Sequence, residues 1–294
     1  MRIVRRFIGM AMMAAFVVSC VHVPAEKLLR QARYSDDTLD ASNFTLVSWN
    51  IAKESAGDWS HTRKNRTLRA RLSRADLLLL QEVCVTSSGV AAGLAPLLRA
   101  NDYGWVFAAS FESALLGCGT DAPTGVLTAS RAEPSAVTAL RSRHRELGLT
   151  PKTTLASTFA LDDCAGTLLV INTHLLNFEW LGTDDVADQL ARIGERITAH
   201  SGPVILAGDL NTRNAKRLSL VRQLAARHGL RAVFDDAPGG RTQSIFGGGF
   251  ALDHVFYRGL RVVSPGSVGN ETTQALSDHN SLTVTFALDA PYCE

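Results

Sequence analysis

Ser277-Asp278-His279-Asn280-Ser281-Leu282-Thr283-Val284-Thr285-Phe286 joins an acid–imidazole pair to a strand. From Leu282 onward apolar and polar residues alternate, which is the period of a half-buried strand. Directly before it stand an acid that can hold a cation and a histidine that can carry a proton. Four similar cassettes lie upstream, each a polar group at the end of an apolar run: Trp49-Asn50, Gln81-Glu82, Asn172-Thr173-His174 and Gly208-Asp209-Leu210-Asn211. Leu252-Asp253-His254 adds a fifth. Polar groups repeated at strand ends imply one site built along one edge of a sheet structure.

The rest of the chain supplies the scaffold. Phe44 to Trp49 alternates as a strand does, and Asp76-Leu77-Leu78-Leu79-Leu80-Gln81 is a continuous apolar run, suited to a strand covered on both faces. Tyr103 to Ala108, Gly125 to Ser130, Thr154 to Leu161, Leu168 to Thr173, Val204 to Ala207, Leu252 to Tyr257 and Leu282 to Leu288 read as further strands. Helices are predicted over Thr62 to Arg74, Ser88 to Leu98, Asp184 to His200 and Ala215 to His228. In the third, Val186, Leu190, Ile193 and Ile197 share a face. Gly202-Pro203 stops that helix and Gly229 ends the next. Strands and helices alternate, so the expected fold is α/β: a four-layer αββα sandwich of two sheets with helices outside.

The N-terminus has a separate job. Arg2, Arg5 and Arg6 precede an apolar run from Phe7 to Val18, too short to span a bilayer comfortably, and then Ser19-Cys20. Residues 1–19 read as a signal peptide. Val17-Val18-Ser19-Cys20 resembles a bacterial lipoprotein cleavage box, which makes Cys20 the lipidated first residue and residues 20–43 a tether. Val21 lacks the Asp that retains such proteins at the inner membrane, so the outer membrane facing the periplasm is expected, or secretion if Cys20 carries no lipid. The formal charge of +2 comes from 30 basic and 28 acidic residues. Without Arg2, Arg5 and Arg6 the balance is 27 to 28, close to neutral, which argues against bulk-charge binding of nucleic acid. Cys84, Cys118, Cys164 and Cys293 form an even set for an oxidising compartment. Three pairings exist; Cys84–Cys118 with Cys164–Cys293 is preferred, and four unpaired thiols are the alternative.

Asn50, Glu82 and Asp278 offer hard oxygen ligands, which suit Mg²⁺, with Mn²⁺ as a substitute. No Cys or His cluster has zinc spacing. A metal, the two histidines His174 and His279 and nearby acids fit hydrolysis of a phosphate ester.

In order, Ser48-Trp49-Asn50, Gln81-Glu82, Gly125 to Arg131, Asn172-Thr173-His174-Leu175, Gly208-Asp209-Leu210-Asn211, Leu252-Asp253 and Ser277-Asp278-His279 resemble the endonuclease/exonuclease/phosphatase superfamily, with its DNase I-like fold. The resemblance covers Phe44 to Leu288. Within it, His200 to Asn211 and Leu252 to Leu260 resemble a bacterial branch, the YafD-like proteins. It implies a catalytic domain over residues 44–294. Glu82 would be the principal metal ligand, helped by Asn50 and Asp278. His279 would be a general base or phosphate contact oriented by Asp253, and His174 a general acid or phosphate stabiliser. Asp209 and Asn211 would align the attacking water and bind a phosphate oxygen. Three departures stand out: Leu210 replaces a common Phe, Ala52 replaces an acid or basic residue of some nucleases, and Lys53 stands as a substitute basic contact.

Singly, several of these residues have plainer explanations. Asn50 suits a strand-end turn, Asn172 a backbone pin, Asp209 a helix cap, and His254 the opposite strand face from Asp253. Arg63, Lys64, Arg66, Arg69, Arg71 and Arg74 make a solvated helix face, or one that meets lipid headgroups or a nucleic-acid backbone. Arg141 to Arg145 is a second basic loop flanking the site, and Gly247-Gly248-Gly249 a flexible turn rather than a phosphate loop. The leading expectation is a Mg²⁺-dependent phosphodiester hydrolase, with nucleic acid favoured as substrate over phospholipid. A phospholipase C- or sphingomyelinase-like enzyme is the second reading; the lack of a long apolar hairpin counts against it. A catalytically inactive anchored binding protein is the third.

Overall fold

Leu77, Leu78, Leu79 and Leu80 are all buried, yet they serve two different cores. Leu77 and Leu79 pack with Phe159, Val170, Ile205 and Val255, while Leu78 and Leu80 pack with Leu68, Leu72, Leu97 and Leu98. Alternate side chains of a strand leave opposite faces, so this strand lies between a second sheet and a pair of helices.

The computed structural model describes residues 21–25, 28–54, 66–86, 89–90, 93–178, 184–234, 250–273 and 276–289. The expected signal peptide, Cys20, Arg63, Lys64, the Gly247–Gly249 turn and Cys293 lie outside them. The chain runs β1 (Val21–His22), β2 (Leu28–Gln31), β3 (Phe44–Asn50), α1 (Arg66–Arg74), β4 (Leu77–Thr86), β5 (Gly89–Val90), α2 (Ala95–Ala100), β6 (Gly104–Ser113), β7 (Gly119–Ser130) and β8 (Pro134–Arg141). It continues through β9 (Thr153–Ala160), β10 (Thr167–His174), α3 (Asp184–Thr198), β11 (Val204–Asp209), α4 (Ala215–Arg227), β12 (Arg231–Ala232), β13 (Asp253–Arg258), β14 (Leu260–Val268) and β15 (Leu282–Leu288).

The first sheet has the order β1-β6-β7-β4-β3-β15-β14, with β2 on β6 and β5 on β4; the second has β12-β13-β11-β10-β9-β8. Between them lies a core that includes Phe44, Leu46, Leu79, Phe159, Val170, Ile205 and Phe286. Helices α1 and α2 cover the outer face of the first sheet through Leu68, Leu72, Leu97 and Leu98. Helices α3 and α4 cover the second through Val186, Leu190, Ile193, Ile197, Val221 and Leu224. This is the four-layer αββα sandwich expected from the sequence.

Three details differ from expectation. The stretch read as a tether contributes β1 and β2, both paired with β6. The helix expected from Ser88 begins only at Ala95. Val85 and Thr86 instead pair with Val90 and Gly89, the latter at φ +114°, and Pro96 fits only the first helical turn. Strands β8 and β14 had no sequence signal because each is a sheet edge, half solvated and free of the need for strict alternation.

Cys84 and Cys118 form a disulfide at a sequence separation of 34, as expected. Cys164 is also disulfide-bonded; its expected partner, Cys293, lies outside the described residues. Closing a loop of that length restricts the unfolded chain by roughly 3–4 kcal/mol. The Cys84→Ser/Cys118→Ser double variant is expected to lose about 2–4 kcal/mol of stability in urea unfolding. An unchanged unfolding midpoint would show that the bond does not constrain the unfolded state.

Candidate active site

Strand parity gathers the site. On β3 the inward residues run Leu46, Ser48, Asn50; on β4, Leu77, Leu79, Gln81. On β10 they run Leu168, Val170, Asn172, His174; on β11, Ile205, Ala207, Asp209; on β13, Asp253, Val255, Tyr257. The inter-sheet core is therefore apolar along most of its length and polar at one end. Register brings these ends level: Asn50 pairs with Gln81, His174 with Asp209, and Asp209 with Asp253.

Asp209 is the hub. Its Oδ2 accepts from Asn50 Nδ2 at 3.0 Å and lies 3.4 Å from His174 Nε2 and 3.8 Å from His279 Nε2. Its Oδ1 accepts from the backbone N–H of Asn211 at 3.0 Å. His279 Nδ1 is 2.8 Å from Asp253 Oδ2, so Asp253 stands behind the ring and fixes its orientation. Across the cleft Glu82 Oε1 is 3.9 Å from His174 Nε2, and the other oxygen pairs with the Lys53 ammonium.

The cassette Ser277–His279 is fastened to β3. Trp49 Nε1 donates to the His279 carbonyl at 2.9 Å, and Ser277 Oγ donates to the Asn50 carbonyl at 2.7 Å. Glu82 sits at a break in register between Leu80 and Val83, with φ +54°, which turns its carboxylate out of the regular ladder. Gly208 has φ +138°, and a Cβ there would lie 2.0 Å from the Thr173 carbonyl oxygen. Only glycine lets β10 and β11 close up beside His174 and Asp209.

Charges are divided sharply. Burial pushes Asp209 up to about 7; His279 opposes that and Asp253 adds to it. Burial alone would lower His279, but Asp253, then Asp209 and Asp278, lift it to about 10. Burial, followed by Lys152 and Lys53, holds His174 well below its ordinary value. Burial would raise Glu82, yet Lys53, Lys152 and His174 outweigh it and keep the carboxyl well below its usual range. At neutral pH the cleft therefore holds an ionised Glu82, a charged His279 and a neutral His174.

The expected residues do not all converge alike. Asn50, Glu82, His174, Asp209, Asp253 and His279 share the cleft. Asp278 is turned outward, its side chain 62% exposed, with Oδ1 4.0 Å from His279 Nε2. Asn211 is buried beside Asp209, where its amide donates to the Leu175 carbonyl at 2.9 Å and joins the loops after β10 and β11. Asn172 pins backbone, bonding the Leu127 carbonyl at 2.9 Å and accepting from Gln81 at 2.8 Å. His254 is buried on the opposite face of β13 from Asp253, bonded to Thr212 and stacked on Phe256.

Lys152 was missed. It is buried directly before β9 and lines the cleft with Lys53, Glu82, Ser110, Thr124 and His174. Its Nζ lies 3.6 Å from Glu146, and Glu146, Glu82 and Asp209 keep it charged against the cost of burial. A single lysine before a strand carries no pattern; only the pairing of β9 with the strand ending at His174 reveals it.

Residues 47–279 match the Endonuclease/Exonuclease/phosphatase family. The chain belongs to that family. Its members are hydrolases acting on phosphate esters. The UPF0294 protein of Klebsiella pneumoniae (strain 342) is 36% identical over 247 residues, covering 84% of this chain and 83% of its own. The UPF0294 protein VP2298 of Vibrio parahaemolyticus is 34% identical over 252 residues, covering 85% of this chain and 80% of its own. These relatives are YafD-like, as His200 to Asn211 and Leu252 to Leu260 led us to expect. Among solved structures, the endonuclease/exonuclease/phosphatase from Beutenbergia cavernae DSM 12333 superimposes with a TM-score of 0.64 at 20% identity. That match covers 84% of this chain and 72% of the other, and it supports the fold.

Gly208→Ala is expected to lose roughly 2–4 kcal/mol of stability in denaturant unfolding, because the new Cβ meets a backbone oxygen at a left-handed position. A loss below about 0.5 kcal/mol would mean that the two strands can part without penalty.

Proposed function

We propose that this chain is a divalent-metal-dependent hydrolase of phosphodiesters acting outside the cytoplasm. The observation that carries the reading is the Asp209 carboxylate set between His174 Nε2 at 3.4 Å and His279 Nε2 at 3.8 Å, with the Glu82 carboxylate opposite, 3.9 Å from His174.

No group of three or more His, Cys, Asp or Glu poised to hold a metal occurs among the described residues. The donors present, the Glu82 carboxylate and the Asn50 amide oxygen, are few and hard. That set fits a magnesium-type ion, which keeps several of its waters, better than a zinc-type ion. Glu82 with Asn50 would hold it, and Lys53 would give up its place on Glu82. When bound, the ion supplies neutralisation of phosphoryl oxygen charge. Asp278, turned to solvent, is a weaker candidate ligand than expected.

The protein groups divide the remaining work. Water adds to phosphorus, the bond to the departing alcohol oxygen breaks, and that oxygen leaves with a proton; a diester and water become a monoester and an alcohol. Asp209, lifted toward neutrality, is suited to take the proton from water. Asn211 holds the Asp209 loop. The His279 imidazolium, fixed by Asp253, faces the phosphoryl oxygens and can give a proton to the departing one. His174 contributes a hydrogen bond without charge, and Lys152 with Lys53 adds positive potential at the same cleft.

The Arg-rich helix, read from the sequence as a solvated face or one that meets lipid headgroups or a nucleic-acid backbone, lines a separate cleft. Arg66, Arg69, Ala70 and Ser73 face Leu97, Ala100 and Asn101 there, and no residue is shared with the catalytic cleft.

Bis(p-nitrophenyl) phosphate tests the chemistry without prejudging the natural substrate. Turnover is expected with Mg²⁺ or Mn²⁺ and not with EDTA. His174→Ala, His279→Ala and Glu82→Ala should each lower kcat by about 10²-fold or more, and Lys152→Ala by roughly 10-fold or more, with folding intact by circular dichroism. A near wild-type rate in any of these variants would remove that residue from the mechanism. Full activity in EDTA would overturn the metal requirement.

A further inference from the structure

Asn50 and Glu82, the two donors read above as metal ligands, are both engaged by one short turn. Ala52–Glu54 follows the end of β3 and brings Lys53 into the lining of the cleft. The Ala52 N–H donates to Asn50 Oδ1 at 3.0 Å, and the Lys53 ammonium donates to Glu82 Oε2. Asn50 is committed a second time through its Nδ2, which donates to Asp209 at 3.0 Å. The turn thus sets a backbone donor on one ligand and a full positive charge on the other.

Its backbone is held in an uncommon conformation. Ala52, Lys53 and Glu54 have φ of +49°, +56° and +57°, three successive left-handed residues that each carry a Cβ. Left-handed backbone is disfavoured for such residues and persists only where neighbours over-determine it. The neighbours here are Asn50 and Glu82, the Ile51 carbonyl, which accepts from the Glu54 N–H at 3.0 Å, and Cys84 Sγ, 3.7 Å from the Lys53 carbonyl oxygen. One cost is left uncompensated. Glu54 Oε2 accepts from the Gly93 N–H at 3.2 Å, but Glu54 Oε1 is buried without a hydrogen-bond partner among the described residues. A second arrangement of the turn would relieve both the left-handed backbone and that orphaned oxygen.

Lysine suits an exchangeable contact. Its ammonium is a compact point charge on a flexible stem, whereas a guanidinium grips a carboxylate with two parallel bonds. A small hard dication offers the same oxygen more charge than an ammonium does. Lys152, the other lysine of the cleft, is tied to Glu146 at 3.6 Å instead.

We propose that Lys53 sets the affinity of the site for its divalent ion: the Ala52–Glu54 turn seats an internal cation on Glu82, and the ion binds by displacing it as the turn rearranges. This rests on the metal site read above. Two cations then compete for one carboxylate, and loading is weakened by the fraction of molecules in which the ammonium is lifted away.

Mn²⁺ binding to the full chain, followed by electron paramagnetic resonance of the free ion, tests this without reference to turnover. Lys53→Met is expected to bind Mn²⁺ about 10-fold more tightly than wild type, and Lys53→Arg no more tightly than wild type. Ala52→Gly favours the left-handed turn as it stands and is expected to bind about 3-fold more weakly. Lys152→Met controls for charge at a distance and should change the affinity less than Lys53→Met does. Thermal unfolding gives a readout that a merely structural lysine would not move. Lys53→Met should melt below wild type without added metal, because Glu82 loses its counter-ion, and should gain more from saturating Mn²⁺. Saturable binding of equal strength in wild type and Lys53→Met would overturn the competition and leave the metal site standing. Should Lys53→Met fail to fold, Ala52→Gly decides: an affinity equal to or above that of wild type would overturn the proposal. Absence of saturable binding in folded wild type and folded Lys53→Met would overturn the metal site and the proposal with it.

Discussion

A buried carboxylate between two imidazoles sets the terms for this site. Asp209 is 2% exposed and lies within 4 Å of both His174 and His279. Such a group is tolerated only where partners compensate for lost hydration. Asn50 and the Asn211 N–H supply hydrogen bonds, and the charged His279 supplies the counter-ion, itself stabilised by Asp253. Asn50 and His279 come from strand ends of the first sheet and Asp209 from the second, so the two sheets must close at one register. The Gln81–Asn172 hydrogen bond across the two sheets locks that closure, and Gly208 lets β10 and β11 lie close within the second sheet.

Much of this was legible because strands impose a period of two. A polar residue two or four positions beyond an inward Leu, Ile or Val has to face inward as well. Asn50 after Leu46, His174 after Val170 and Asp209 after Ile205 follow from that rule, as does the outward turn of His254 next to the inward Asp253. The apolar run Leu77–Leu80 likewise announced a strand covered on both faces, and Val186, Leu190, Ile193 and Ile197 marked the helix face that packs on the second sheet.

The parts that were not legible depend on contacts between distant segments. Lys152 becomes a site residue only through the pairing of β9 with β10. Asp278, adjacent to His279 in sequence, is turned to solvent because the backbone around it is fixed by Trp49 and Ser277 rather than by its own side chain. Edge strands β8 and β14 are half solvated, and Val21–His22 and Leu28–Gln31 are too short for any periodicity to register.

The opposite charge states of the two histidines are the core of this account, and they can be read directly. Ring resonances of His174 and His279, assigned by substitution and followed by NMR from acid to alkaline pH without metal, would report each imidazole separately. His279 is expected to stay protonated through neutrality and titrate near 10, with His174 neutral throughout that range and titrating well below its ordinary value. Replacing Asp209 with Asn should lower the His279 transition. Two histidines titrating together near their ordinary value would contradict the arrangement, and with it the division of roles around Asp209.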